Sequence, residues 1–255
     1  MTVPKLAKLR ARRSGERLGG WWVLTYAALY LPVSALVRVS YRHSERIPAR
    51  GPIILAANHV SHADPFVLSK FILDAGRVPR FLAKDSLFRG RVVGRFMRGM
   101  GHIPVDRFST DAQLALASAV AALESNNAIL MYPEGSVTRD PQGWPMAARW
   151  GTARLALAAP DVPVVPIGQW GVQKSIDLYR RRLRLLPRPR HTILVGVPVD
   201  LSAFRDQPPT PATLDRMTDV IMVQVRAQVA ELRGVPAPTG AFYRWKRTRG
   251  TDEAR

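Results

Sequence analysis

His59 and Asp64 lie five positions apart in the stretch Asn58–His59–Val60–Ser61–His62–Ala63–Asp64–Pro65. An imidazole held in one tautomer by a carboxylate is a general base for an alcohol, because its unperturbed pKa lies near neutrality. The stretch follows the apolar run Pro52–Ala57, and a strand that empties into a polar cluster is where an α/β protein usually keeps its chemistry. Asp64 precedes Pro65 and an apolar run through Leu73, so it reads as the N-cap of a helix with proline at the first helical position. A carboxylate fixed at that helix start reaches back to His59. Taken alone, the same residues also fit a plain helix cap beside a satisfied loop histidine. His59 and His62 share H-x-x-H spacing, but no other half of a metalloprotease pattern accompanies them, and no metal is expected. Ser61 lacks the glycine elbow of a serine nucleophile, so no acyl-enzyme is expected either.

Three further clusters follow: Gly101–His102–Ile103–Pro104–Val105–Asp106–Arg107, Tyr132–Pro133–Glu134–Gly135–Ser136 and Val162–Pro163–Val164–Val165–Pro166–Ile167. With the His59–Asp64 block, and in this order, they resemble the signature blocks of the glycerolipid acyltransferases, the phosphatidic-acid-forming 1-acylglycerol-3-phosphate O-acyltransferase type. The resemblance covers roughly residues 48–199. It implies transfer of a fatty acyl group from acyl-CoA or acyl carrier protein, as co-substrate and without a cofactor, to the sn-2 hydroxyl of a lysophospholipid. His59 would be the base and Asp64 the group that orients it.

The resemblance also implies that Glu134 orients the acceptor or braces the site and that Arg107 holds the acceptor phosphate, a dianion that suits a guanidinium fork. Lys84 is a second candidate for that phosphate, and Arg149 stands where the family often has lysine. Asn58, Ser61, Ser136 and Arg139 complete the expected substrate-binding set. Gly135 can bring backbone amides close to the oxygen that turns negative on a thioester carbonyl. One departure concerns the acceptor: the family commonly follows Glu–Gly with Thr–Arg–Ser, whereas here Ser136–Val137–Thr138 follows. Arg139 is the nearest replacement for the missing charge. Another lysophospholipid, a lysophosphatidylinositol-type glycolipid or glycerol-3-phosphate therefore stays open as the acceptor.

The elements that must position these residues alternate along the chain. Strands are expected at Pro52–Ala57, Arg80–Lys84, Ile103–Val105, Ala128–Tyr132, Val164–Ile167 and Thr192–Val197, the last at the side or edge of the sheet. Helices are expected from Pro65 to Leu73, over Leu87–Met97 with Phe88, Val92, Phe96 and Met97 in partial helical period, and from a Thr110–Gln113 capping box to about Glu124. Another is expected over Ala147–Ala159, and a last long one begins after Gln207–Pro211, with Leu214, Met217, Ile221, Val225, Val229 and Leu232 as its core stripe. Such alternation predicts an α/β fold, a mostly parallel central sheet flanked by helices.

At 255 residues the chain holds one substantial catalytic domain, expected over residues 48–233. It contains no cysteine, which excludes disulfides, a thiol nucleophile and cysteine-ligated metal. A formal charge of +19 implies an anionic partner: a membrane surface, a phosphorylated substrate or nucleic acid. Nucleic acid is not expected, because neither zinc-finger spacing nor an RNA-binding aromatic signature is present.

Met1–Arg17 is a basic leader, and Leu18–Val37 behind it carries no charge and includes Trp21, Trp22, Tyr26 and Tyr30. Residues 1–47 are expected to form a membrane-associated helical segment, spanning or lying in one leaflet, although a helix buried on the domain fits as well. Acyl donors such as acyl-CoA are cytosolic, so a monotopic attachment to the cytoplasmic membrane is preferred over a single pass, with the catalytic domain facing the cytoplasm. The arginine-rich run Tyr179–Arg190 is either a solvated face or a contact for anionic lipid or the nucleotide end of CoA. Residues 234–255 form a basic tail with prolines, Phe242, Tyr243 and Trp245.

Overall fold

The strand expected over Pro52–Ala57 forms over Ile53–Ala57 and lies in the middle of a seven-stranded sheet. The computed structural model describes residues 30–105, 111–177, 182–184 and 186–245. In chain order these hold helix α1 (Leu31–Leu36), β1 (Arg38–Arg42), β2 (Ile53–Ala57), α2 (Asp64–Asp74), β3 (Pro79–Lys84), α3 (Arg91–Gly99) and β4 (Ile103–Val105). There follow α4 (Asp111–Glu124), β5 (Ala128–Met131), α5 (Gly151–Ala158), β6 (Val164–Trp170), a small hairpin of β7 (Ile176–Asp177) and β8 (Arg182–Leu183), β9 (Arg190–Val195) and α6 (Pro211–Arg233).

The sheet order is β1-β9-β6-β2-β5-β3-β4. All neighbours run parallel except β9 against β6, so the sheet is mostly parallel as expected. All five β2 side chains are buried, and their alternation divides them between two cores. Ile54 and Ala56 meet Ala119 and Leu123 of α4, Leu155 of α5, and Met217 and Ile221 of α6. Ile53, Leu55 and Ala57 meet Val67, Leu68, Phe71 and Ile72 of α2. A strand with both faces covered has to be apolar throughout, which is why Ile53–Ala57 shows no polar alternation.

Several boundaries differ from the sequence reading for physical reasons. β9 is an interior strand, because β1 pairs with it in parallel and takes the edge. The polar alternation of Arg38–Arg42 resembled basic residues flanking an apolar segment. Helix α5 starts at Gly151 instead of Ala147 because the amides before it have other partners: Met146 N–H donates to Glu134 Oε2 (2.9 Å), Ala147 N–H to Tyr243 O (3.0 Å) and Arg149 N–H to Pro133 O (2.9 Å). The helix expected over Leu87–Met97 is broken into a 3-10 turn at Asp85–Phe88 and α3, with Gly90 extended between them. α6 matches its expected stripe; Thr210 caps its start and Gly234 its end.

Of the expected segment Leu18–Val37, residues 18–29 lie outside the described residues, as does the basic leader. Its described end is α1, which is tied to α2 where Tyr30 Oη donates to Asp74 Oδ1 (3.0 Å) and to the chain before β9 where Arg188 donates to Ser34 O. Among the described residues no helix is long and apolar enough to cross a membrane. The tail after Gly234 folds back onto the domain as far as Trp245, with the Arg226 guanidinium 4.2 Å from the Phe242 ring centroid. Residues 246–255, residue 178, and residues 179–181 and 185 of the arginine-rich run lie outside the described residues.

Arg77 is among the largest fully buried side chains, and its guanidinium donates to Pro48 O, Gly51 O and Asn126 O at 2.7 to 3.0 Å. It joins the loop before β2 to the turn before β5 at the end of the sheet away from the site. Arg77→Met removes these donors and leaves the carbonyls buried without them. Urea unfolding is expected to show a loss of at least about 3 kcal/mol; an unchanged midpoint would contradict this role.

Candidate active site

The site forms where the chain leaves β2. Asn58 still follows the sheet, and its side-chain amide is bound to β6: Nδ2–H donates to Gln169 O (3.1 Å), and Gln169 N–H donates to Oδ1 (2.8 Å). Gln169 Nε2 donates in turn to Asn58 O (2.6 Å). Asn58 is wholly buried, and its side chain fixes the start of the loop.

Asp64 was expected to cap α2, yet it is the first helical residue and makes no capping bond; Ala63 occupies the cap position. Its carboxylate turns back over the loop instead. Oδ2 accepts from His59 Nδ1 (2.9 Å), Val60 N–H (2.7 Å) and Ser61 N–H (2.8 Å). The two amides bend residues 59–61 around the oxygen, and the bend presents the imidazole to it. With Nδ1–H donating to Asp64, Nε2 is left with its lone pair. The Asp64 side chain is completely buried and that of His59 is 14% exposed, so the imidazole has an open side and its partner has none. The His59 ring stacks on Tyr132, with centroids 4.1 Å apart and planes 18° from parallel, which restricts tipping of the ring.

The second wall comes from the turn after β5. Glu134 is buried and accepts from His59 N–H (2.8 Å) through Oε1 and from Met146 N–H (2.9 Å) through Oε2. It braces two backbone segments, and both of its oxygens are engaged by backbone amides. Burial pushes its carboxyl up to about 8 against the opposing pull of these two amides. Gly135 sits at φ +73°, where only glycine is unstrained, and the Arg149 side chain lies 3.4 Å from where a Cβ would stand. The Gly135 amide donates to Tyr132 O (2.9 Å), so it is not available to an oxyanion. The next two amides differ: among the described residues the N–H groups of Ser136 and Val137 have no protein partner. Thr138 N–H donates to His59 O (2.7 Å) and holds this turn against the His59 loop.

Ser61 Oγ donates to Ile176 O (2.7 Å) and accepts from Ala63 N–H (3.2 Å), so this buried hydroxyl anchors the loop to the hairpin. Ser136 is half-buried beside Gly135. Three expected cations are placed around the site. Arg149 is exposed and lies over Gly135; Arg139 is half-buried, its guanidinium 4.9 Å from the Trp245 ring centroid; Lys84 is exposed at the carboxyl end of β3. Val137, at the position of the family's arginine, is buried. Arg107 lies outside the described residues, and the strand before it, β4, ends in register with Lys84.

Residues 38–170 match the family model described as Acyltransferase. The chain belongs to this family. A 1-acyl-sn-glycerol-3-phosphate acyltransferase of Bacillus subtilis (strain 168) is 22% identical over 199 residues, 78% of this chain and 92% of that protein. One from Borreliella burgdorferi is 30% identical over 122 residues, which are 48% of this chain and 47% of that protein. A chloroplastic one from Brassica napus is 29% identical over 132 residues, 51% of this chain and 36% of that longer protein. The crystal structure of the 1-acyl-sn-glycerophosphate (LPA) acyltransferase PlsC from Thermotoga maritima has the same fold, with a TM-score of 0.57 at 22% identity over 96% of this chain and 81% of that one.

Sequence reasoning missed three parts of this acyltransferase-family site: Tyr132 beneath the imidazole, Gln169, and His191 behind Gln169. Gln169 was legible as the one polar residue of an otherwise apolar strand, whereas His191 sits between Arg190 and Thr192 and did not stand out. His191 Nδ1 accepts from Val172 N–H (3.1 Å) and Nε2 faces Gln169 Oε1 (3.2 Å). A proton added at Nδ1 would oppose that N–H, and burial lowers the His191 pKa to about 4. His102 is similar: Nδ1 accepts from Phe81 N–H (3.2 Å), and burial, then the Arg80 charge, lowers its pKa to about 4.

Between about pH 6.5 and 4 the unfolded chain therefore binds more protons at both histidines than the folded one, and stability falls as the pH falls. Each is expected to contribute on the order of 3 kcal/mol to this loss. Glu134 has the opposite sign, its contribution being full below about 4.5 and lost as the pH rises through about 8. His191→Gln keeps a donor and an acceptor and does not titrate. Its denaturation free energy is expected to fall less than that of the natural chain between pH 7 and 4; parallel curves would contradict the assignment.

Proposed function

We propose that this chain transfers a fatty acyl group from a thioester donor, acyl-CoA or acyl carrier protein, to the sn-2 hydroxyl of 1-acyl-glycerol-3-phosphate, giving phosphatidic acid. The observation that carries the reading is the His59–Asp64 pair, with the imidazole partly open and its Nδ1 tied to a buried carboxylate. Family membership and the printed names of the relatives support the same reaction.

In this reading His59 Nε2 takes the proton as the hydroxyl attacks the thioester carbonyl, and Asp64 supports the imidazolium so formed. The Ser136 and Val137 amides stabilise the oxygen that becomes negative. The tetrahedral carbon then expels the thiolate, which takes up the proton from His59. Arg149, with Arg139, Lys84 and Arg107, supplies the positive field for the acceptor phosphate. The catalytic domain works at an anionic membrane surface, on the cytoplasmic side where these donors are found. A second reading rests on the buried Val137: with one family arginine absent, the acceptor is another lysophospholipid or glycerol-3-phosphate.

A panel of donors and acceptors on lipid-supported protein separates these readings. His59→Ala and Asp64→Asn are each expected to lower kcat by about 10²- to 10⁴-fold. Activity surviving in His59→Ala would reject the base. Arg149→Gln is expected to raise KM for a phosphate-bearing acceptor about tenfold with little change in kcat; an unchanged KM would remove Arg149 from the headgroup site.

A further inference from the structure

Helix α3 turns an apolar sector outward. Val92 is 82% exposed and Val93 51%, and Leu87 in the preceding turn is 45% exposed. In the helical period read from the sequence, Val92 shares a core-facing side with Phe88, Phe96 and Met97. Two contacts set the helix the other way. Gly94 meets the chain so closely that a Cβ there would stand 2.0 Å from Phe88 O, and Arg98 Nη1 donates to the same carbonyl (2.6 Å). These contacts pin the Gly94 side inward and leave Val92 facing out.

At 100° per residue, Arg91, Arg95 and Arg98 fall together on one flank of the exposed valine sector. Residues 84–99 hold one acid, Asp85, and it is paired with Arg89 at 2.8 Å. The segment lies at the carboxyl edge of the sheet: it begins as β3 ends at Lys84, and β2 runs parallel to β3 across β5 toward His59 at the same edge.

We propose that α3 and the turn before it form a docking lip for an anionic lipid surface, with Val92, Val93 and Leu87 inserting and the arginine flank contacting headgroups. This rests on the proposed function, in which the acceptor is a lipid delivered at this edge. An apolar sector bordered by exposed arginines, with a single paired acid in the segment, complements a bilayer interface. Valine and leucine are under-represented among the residues that anchor protein interfaces, and the exposed apolar residues here are two valines and a leucine.

The absence of cysteine allows a single one to be placed and labelled. Val92→Cys in the full chain, carrying an environment-sensitive fluorophore, reports on the lip. Asp161→Cys, at a 90% exposed position just before β6 at the opposite end of the sheet, is the control. On phosphatidylcholine vesicles containing phosphatidylglycerol, the label at 92 is expected to shift to the blue and be quenched by brominated acyl chains, and the label at 161 is not. Arg91→Gln and Arg95→Gln are each expected to lower the quenched fraction about fivefold.

No quenching at 92 overturns the lip, even if the protein sediments with vesicles through another segment. Equal quenching on pure phosphatidylcholine overturns the role of charge. A shift that needs no vesicles and grows with protein concentration assigns the face to a second copy and also overturns the lip. Quenching is read without catalysis, so a chain that docks but acylates no lysophospholipid fails the proposed function and leaves the lip standing.

Discussion

One carboxylate oxygen determines the shape of the site. Asp64 Oδ2 accepts from the His59 ring and from the Val60 and Ser61 amides, all within 2.7 to 2.9 Å. A buried acceptor with several donors is costly to disrupt, because each donor would be left without water or another partner. The chain leaving β2 therefore has little choice of path, and the ring has little choice of orientation. Pro65 and the apolar face of α2 hold the carboxylate in the core from the other side.

The surrounding polar contacts keep that loop from shifting as a unit. Asn58, Gln169 and His191 form a buried chain across β6 and β9, Glu134 joins His59 to Met146, and Ser61 joins the loop to the hairpin. Such networks rigidify when every member is satisfied. Roles divide accordingly: neutral side chains and Glu134 hold backbone, whereas the cations Arg149 and Lys84 stay exposed. The tail adds to this wall, with Trp245 over Arg139 and the Tyr243 carbonyl bonded to Ala147.

Much of this was legible from residues alone. Strands buried on both faces read as apolar runs, as at Ile53–Ala57 and Ala128–Met131, and the final helix declared itself by period and caps. The pairing of His59 with Asp64 was visible in their spacing, but the direction of the carboxylate was not, because a helix cap and a loop clasp use the same residue types. The bonds of Asn58 to Gln169 and of Ser61 to Ile176 join positions more than a hundred residues apart, and such pairings are invisible to local pattern. The edge strand β1 and the outward turn of α3 escaped for a related reason: each is set by a distant or backbone contact and not by its own periodicity.

The proposed chemistry requires Asp64 to hold the His59 proton on Nδ1 and to leave Nε2 free. Nitrogen-15 shifts of the imidazoles, measured where the rings are neutral, report the tautomer directly. His59 is expected to carry its proton on Nδ1, in contrast to His102 and His191, whose Nδ1 atoms accept backbone N–H groups. A neutral His59 with its proton on Nε2 would contradict the account.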